Sequence, residues 1–486
     1  MEIGSIEKEI PYQDAFGLYS SMTRNGKIPA LLMESRTINL AYGRQSLIAS
    51  NLALKITGKN ESFRIEALTE QGLNMLSEFS EKDFPFATSY SRDSVNINGT
   101  FNRYFDPNQD LSERIRSINV SKFLRATSGK FQTENPYAGL YGAFAYDFVR
   151  NFEAIGNVHD KEPGEDFILF VPTEIYVFDD IKEKGTHHIL NIKGSKKPFK
   201  DYQLKIGHNT DSKKESMSEE EYAGKVASII SDIKNGRFMQ CVLSRSISIP
   251  LVEHPLNSYQ RLRDINPSPY CFFFNFGNGQ FLYGSSPEIH ALVENNTLTI
   301  RPLAGTVPRS KNPLDDAELR IKLLTDPKER SEHMMLVDLA RNDVSRMCKS
   351  GSIRITDLLT VEEYPNLHHL ASGVQGKLNG RFDSIDSLLT TIPAGTLSGA
   401  PKLEAMKAIE QLEKTRRGFY GGAVGYVIFN GDCNTGITIR SVYVNDGFST
   451  VQAGAGIVLD SVPEKEVAEV RLKLEKPLKN LEAGLK

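Results

Sequence analysis

Long apolar runs are absent from this sequence: no stretch approaches the ~18–20 apolar residues that a membrane-spanning helix requires. Cysteine is sparse. Cys241, Cys271, Cys348 and Cys433 are scattered without Cys-x-x-Cys spacing, which argues against a zinc site or a disulfide framework. An excess of charge is also missing. The net charge is -3 over 486 residues, so no global basic field attracts nucleic acid. The one lysine-dense stretch, Lys196 to Lys214, is diluted by Asp and Glu and reads as a solvated linker. Met1-Glu2-Ile3-Gly4 has neither the basic nor the apolar segment of an export signal. The cytoplasm is therefore the expected compartment, with no membrane and no nucleic-acid partner.

What is present suits a globular chain of several domains or two interleaved ones: 40% hydrophobic and 24% charged residues. The polar stretch from Gly194 to Glu219 is the best boundary, dividing a region 1–210 from a region 215–486. Ser35 to Leu68 reads as short strands with turns at Gly43 and at Gly58-Lys59-Asn60, and Leu111 to Thr127 has helical spacing. Tyr141 to Phe148 and Ile168 to Phe178 read as strands. Ser218 and Glu221 form a capping-box pattern ahead of a helix that Gly236 stops. Phe238 to Ile249 reads as a strand, and hairpins are expected at Gly277-Asn278-Gly279, Asn295-Asn296 and Asn430-Gly431. Helices are expected over Asp326 to Met347, Pro401 to Arg416 and Pro463 to Glu475. Strands joined by hairpins make antiparallel sheets, so the class is α+β.

Two carboxylate pairs stand out. Glu329 and Glu332 lie three apart near one helix start, and Glu466 and Glu469 three apart near another, each pair on one helix face. Brought together they offer oxygen donors suited to a hard cation such as Mg²⁺. Spacing alone equally allows Glu329 to close a capping box on Asp326, and Glu469 to pair with Lys473 at the surface.

Gly395-Thr396-Leu397-Ser398-Gly399-Ala400-Pro401-Lys402 is a small, hydroxyl-rich loop running into a helix, either an anion site or a tight turn. Ala453-Gly454-Ala455-Gly456 follows a strand and allows close backbone approach to a ligand or a packing turn. Arg440 falls in a strand pattern that puts it on one face with Thr438 and Val442, where burial would demand a carboxylate partner. His369 is either an acid–base group or a satisfied core histidine.

Together these segments resemble the chorismate-utilising enzymes, in particular their anthranilate synthase component I branch. The resemblance spans nearly the whole chain and is strongest from Arg237 to Lys473. It is carried by QCVLSR from Gln240, NPSPY from Asn266, GSSPE from Gly284, RPLAGT from Arg301, DPKERSEHMMLVDLARND from Asp326, the loop from Gly395 to Lys402, and QAGAGIVLDS from Gln452. The implied fold is two orthogonally packed antiparallel sheets with helices outside, a four-layer α/β/β/α arrangement.

The resemblance also implies roles. Glu332 and Glu469 would bind Mg²⁺ directly, with Glu329 and Glu466 at or near the second layer. Arg440, Tyr420 and the backbone of Gly454, Ala455 and Gly456 would hold the enolpyruvyl carboxylate of chorismate. Lys473, Thr306 and Gly305 would assist at the ring carboxylate. Ammonia would add at C2 as the C4 hydroxyl leaves, and pyruvate would then be lost to give anthranilate. Glu288 matches the acid, which needs a raised pKa to hold its proton near neutrality. His369 matches the histidine required for pyruvate loss, and Thr396 a residue shaping the ring pocket.

Two positions separate the branches. Water-using relatives place a lysine where this chain has Gln240, and many aminodeoxychorismate synthases place one where it has Ala304. Both residues favour amination to the ortho product over the alternatives, an aminodeoxychorismate or aminodeoxyisochorismate synthase or a non-catalytic regulator. Leu32-Met33-Glu34-Ser35 and Pro269-Tyr270-Cys271 resemble the two walls of a tryptophan-feedback site. The bland alternative for Glu34 is a solvated residue at a strand end. Gln45 or Arg44 stands near the place of a feedback lysine in some relatives. No cysteine sits in a nucleophile-elbow context, so ammonia is expected from solution or from a glutamine amidotransferase subunit, component II.

Overall fold

The computed structural model describes residues 1–36, 45–159, 164–200, 204, 213–364 and 367–485. The turn expected at Gly43, Arg44 and most of the Lys196 to Lys214 stretch lie outside the described residues.

The architecture is organised by two long strands. Where short strands were expected, Gln45–Lys59 runs as one strand of 15 residues and pairs with the 13-residue Phe167–Asp179 along most of its length. Most of both strands is buried, so there is no polar break to interrupt them. Both bend midway. The register shifts between Leu52 and Leu54, opposite Pro172, and Asn51 takes a left-handed φ of 53° that Asn tolerates better than most residues. The Asn51 side chain donates to Gln71 Oε1 at 2.9 Å and to Thr173, which fixes the corner.

The two ends of this strand pair belong to different sheets. At one end Leu31–Glu34 joins Gln45–Lys59, and Lys184–Leu190 joins Phe167–Asp179. The sheet continues from Leu31–Glu34 through Tyr270–Gly277, Gln280–Ser286, Ser441–Asn445, Phe448–Ile457 and Gln240–Pro250. At the other end Gly139–Phe144 leads through Ala423–Ile428, Cys433–Ile437, Ile289–Glu294 and Thr297–Ile300 to Leu367–Lys377. Leu303–Pro308 and Arg354–Glu363 flank that last strand. Every one of these ladders is antiparallel, as the hairpin signals required. Strands that cross a corner between sheets are the usual device of orthogonal packing.

Three apolar clusters separate four layers. The middle one, with Leu31, Ala49, Tyr141, Phe170, Phe274 and Val424, draws on both sheets. A second packs the first sheet against the helices that carry Tyr222, Tyr259, Ile409 and Leu474. The third packs the second sheet against those carrying Met75, Phe123, Val337 and Leu388. Residues from both sides of the polar stretch 194–219 share each sheet.

Some elements depart from expectation for identifiable reasons. The helical span Leu111 to Thr127 breaks into Leu111–Arg114 and Val120–Ser128. Asn119 causes the break: its Nδ2 takes up the carbonyls of Arg114 and Ile115, and its Oδ1 caps the amide of Ser121. The last helix runs on through Pro477 to Glu482. Its buried stripe of Glu466, Val470, Leu474, Pro477 and Leu481 outweighs the ~3 kcal/mol an interior proline costs.

The inter-sheet layer tolerates little loss of volume. Phe274, fully buried between Phe272 and Phe276, is expected to cost about 3–5 kcal/mol on truncation to alanine, seen as a lowered urea midpoint.

Candidate active site

The expected catalytic and substrate residues are drawn from strands, turns and helix starts, and several of them contact one another. Strand Leu303–Pro308 bulges at Gly305, which takes a φ of +77°. A Cβ there would lie 3.1 Å from Glu329 Oε2, so glycine is required both by the backbone and by the space. The bulge sends the amide of Thr306 to the Glu329 carboxylate and the Thr306 hydroxyl to His369 Nδ1 at 2.8 Å.

The two acidic helix starts meet here. Asp326 caps the helix Pro327–Met347 through the amides of Lys328 and Glu329, and Glu329 turns to Thr306 instead of closing a capping box. Glu466 is buried in the first turn of Pro463–Glu482. Glu329, Glu332 and Glu466 all have raised pKa values, from burial first and from neighbouring carboxylates after it. Lys328 stands among them, its Nζ 3.6 Å from Glu332 Oε1. Burial opposes its charge, but Glu332, Glu329 and Glu466 outweigh that and raise its pKa. Glu469, half exposed, pairs with Lys473 at 2.7 Å, the surface contact its spacing allowed.

This set fits a hard divalent cation in chemistry: carboxylates that repel one another, with an ammonium as stand-in countercharge. It is not closed. Among the described residues no three His, Cys, Asp or Glu side chains form a ready ligand cluster.

Opposite lies Glu288, in the turn after strand Gln280–Ser286. It is buried, and burial lifts its pKa to about 8 against the opposing pull of the Leu303 amide, Thr396 and Arg440. The Leu303 N–H donates to its Oε1 at 3.3 Å. Thr396, in the turn Gly395–Leu397, lies beside it, with its buried hydroxyl close enough to the Glu288 carboxyl to lower its pKa. His369 is held neutral, its pKa pushed down to about 4 by burial and then by Arg440.

Arg440 is not in a strand. Cys433–Ile437 ends before it and Ser441–Asn445 begins after it, and its φ is +49°. The alternation with Thr438 and Val442 therefore fails, because the left-handed residue reorients the chain. Its guanidinium, largely desolvated, is close enough to feel Tyr364 and Glu288. Ala453 to Gly456 is not a turn after a strand but part of strand Phe448–Ile457. Gly454 and Gly456 allow that strand to lie against Gln240–Pro250: a Cβ on Gly456 would come 2.6 Å from Gln240 Nε2. Gln240 Oε1 is buried without a partner among the described residues. Lys473 Nζ donates to the Gly454 carbonyl at 2.9 Å, and the Tyr420 hydroxyl interacts with the Gly454 amide.

Residues 86–479 match the chorismate binding enzyme family. The chain belongs to the chorismate binding enzyme family. It is 37% identical to the anthranilate synthase component 1 of Acetivibrio thermocellus, covering 76% of this chain and 82% of the relative. It is 34% identical to that of Haemophilus influenzae over 96% and 95% of the two chains. The crystal structure of anthranilate synthase component I from Streptococcus pneumoniae superposes with a TM-score of 0.65 at 30% identity, covering 89% of this chain and 92% of that one.

This chorismate binding enzyme also carries a cavity that Glu288 does not line. A cavity of about 230 Å³ is lined by Glu34, Pro269, Tyr270, Cys271, Asn434 and their neighbours. Glu34 is 4% exposed, which overturns the picture of a solvated strand end. Its carboxylate accepts from Tyr259 Oη and from Arg263, each at 2.5 Å. Ser35, also buried, follows just beyond the lining.

Lys328 and Tyr364 were not singled out from sequence. Lys328 had a readable signal in its i,i+4 spacing to Glu332. Tyr364 had none: its ring meets His369 edge-on at 5.3 Å only because strands Arg354–Glu363 and Leu367–Lys377 pair.

The Glu288 proton has a consequence for stability. Between pH 4.5 and about 8 the folded chain keeps a proton that the unfolded chain has released, so this group's contribution to stability falls as pH rises through that window. Glu288→Gln is expected to flatten the dependence of the urea midpoint on pH between 5 and 8.

Proposed function

We propose that this chain is the large subunit of an anthranilate synthase. It adds ammonia to C2 of chorismate with loss of the C4 hydroxyl and then releases pyruvate to give anthranilate, the first committed step of tryptophan biosynthesis. The observation that carries this reading is Glu288, a buried carboxyl that holds its proton to about pH 8 and faces Arg440 and Thr396. Hydroxide is a poor leaving group, and a carboxylic acid still protonated at neutral pH is the group its departure needs.

Arg440, Tyr420 and the amides of Gly454, Ala455 and Gly456 hold the enolpyruvyl carboxylate. Lys473, Gly305 and Thr306 face the ring carboxylate. Glu332 and Glu469, with Glu329 and Glu466 behind them, would hold Mg²⁺, which when bound neutralises the ring carboxylate of a dianionic substrate entering an acidic site. Glu288 gives its proton to the leaving hydroxyl as ammonia attacks C2. His369, neutral and oriented by Thr306, is in the form that accepts the C2 proton as pyruvate departs. Gln240 and Ala304 supply neither a base for water nor a nucleophile, which supports amination at C2 over the related reactions.

Ammonia comes from a separate glutamine amidotransferase subunit. All four cysteines are buried, and burial raises their pKa values to about 11 or 12, so none is a thiolate ready to attack glutamine. The second cavity takes L-tryptophan as an inhibitor, with Glu34 toward its amino group. No helix among the described residues is long and apolar enough to cross a membrane, in keeping with a cytoplasmic enzyme.

Purified chain with chorismate, Mg²⁺ and ammonium is expected to give anthranilate fluorescence and pyruvate in equal amounts. An amino-ring product without pyruvate, or no turnover, sinks the reading. Glu288→Gln should lower kcat by about 10²–10⁴-fold, and at a fixed concentration of free ammonia the wild-type rate should fall on the alkaline side with an apparent pKa of about 8. The chain contains no tryptophan, so bound L-tryptophan can be followed by its own fluorescence when excited where tyrosine scarcely absorbs. Saturable binding that Glu34→Gln weakens is expected, and unchanged activity at millimolar tryptophan removes the feedback assignment.

A further inference from the structure

Strand Gln240–Pro250 has an interrupted edge. Gln240 and Cys241 pair with Ala400 and Gly399, and further along Ile247 and Ser248 pair with Glu215 and Lys214. Between these ladders, on the edge away from Phe448–Ile457, no strand among the described residues covers Val242 and Ser244. The Val242 amide reaches the Ser398 carbonyl at 2.9 Å. The Val242 carbonyl and the Ser244 amide are met by a buried ion pair. Glu413 Oε1 accepts from the Ser244 amide at 2.8 Å and its hydroxyl at 2.9 Å. Arg417 donates to the Val242 carbonyl at 2.7 Å, to the Leu397 carbonyl at 2.6 Å, and to both Glu413 oxygens at 2.6 and 2.9 Å.

The same guanidinium lies 4.6 Å over the Tyr146 ring and 5.8 Å from that of Tyr420, whose amide donates to the Arg417 carbonyl at 3.2 Å. Ser244 Oγ in turn accepts from Gln452 Nε2 at 2.9 Å, two residues before Gly454. One side chain thus touches the turn bearing Thr396, the strand bearing Gln240 and the ring of Tyr420. A buried pair of this kind is weak evidence for stability, since well-packed apolar replacements often serve as well. Its fork geometry, in contrast, is specific to arginine.

We propose that Arg417 and Glu413 are positioning residues that fix the Thr396 turn, the Gln240 strand and Tyr420 at the distances the chorismate reaction needs. The inference rests on the proposed anthranilate synthase reaction. Lysine at 417 keeps the charge, but its donors radiate from one nitrogen and cannot reproduce the planar fork that reaches Val242, Leu397 and both Glu413 oxygens.

The test uses the full chain with chorismate, Mg²⁺ and ammonium, after wild-type turnover has been established. A wild type that makes no anthranilate sinks the parent reading alone. Arg417→Lys and Glu413→Gln are each expected to lower kcat/KM per folded molecule by about 10–100-fold, the scale of a misplacement near 1 Å. In backgrounds already carrying Tyr420→Phe or Thr396→Val, the further loss from Arg417→Lys should shrink to less than about threefold, because the residues act through one another. Melting and circular dichroism report the folded fraction. An undiminished loss in both backgrounds overturns the proposal, as does an unchanged kcat/KM per folded molecule. If Arg417→Lys does not fold, Glu413→Gln carries the same comparison. If neither folds, the pair serves the fold alone and the proposal fails.

Discussion

Repulsion among acidic side chains is the constraint around which this site is built. Glu329, Glu332, Glu466 and Glu469 come from two helix starts that the fold drives together, and each would be easier to accommodate alone. The sheets make the convergence unavoidable. Thr306 pins Glu329 from one strand, and the packing of Val470, Leu474 and Leu481 sets the other helix in place. Lys328 relieves the accumulated charge from within the same helix turn. A site held in this state has a standing affinity for positive charge, and the protein supplies only a modest part of it.

Across from this acidic rim the electrostatics invert. Glu288 is protonated and His369 neutral at the same pH, each displaced from its solution behaviour by burial, in opposite senses. Arg440 lies close to both: it opposes the upward displacement of Glu288 and adds to the downward displacement of His369. One guanidinium thus tempers the acid and keeps the base unprotonated.

Much of this was legible in the residues. The hairpin turns at Gly277-Asn278-Gly279, Asn295-Asn296 and Gly431 carry their own geometry, because left-handed φ values select Gly and Asn. The carboxylate pairs showed in their spacing, although only ordered motifs lifted them above ordinary surface pairs. What was not legible depended on distant contacts. The break at Asn119 needed a side chain that ends one helix and starts another. The left-handed Arg440 defeats strand alternation. The service of Arg417 to an open strand edge depends on where the short strand Gly399–Ala400 stops, which no local pattern announces.

The bent strands Gln45–Lys59 and Phe167–Asp179 carry a mechanical consequence. Since each is a member of both sheets, the two layers are stitched by continuous peptide and cannot slide or open like the covers of a book. Admission and release at the rim therefore fall to the smaller pieces around it: the turn at Gly395–Leu397 and the first turns of the helices at Pro327 and Pro463. Traffic through this enzyme is a matter of local doors in a rigid wall.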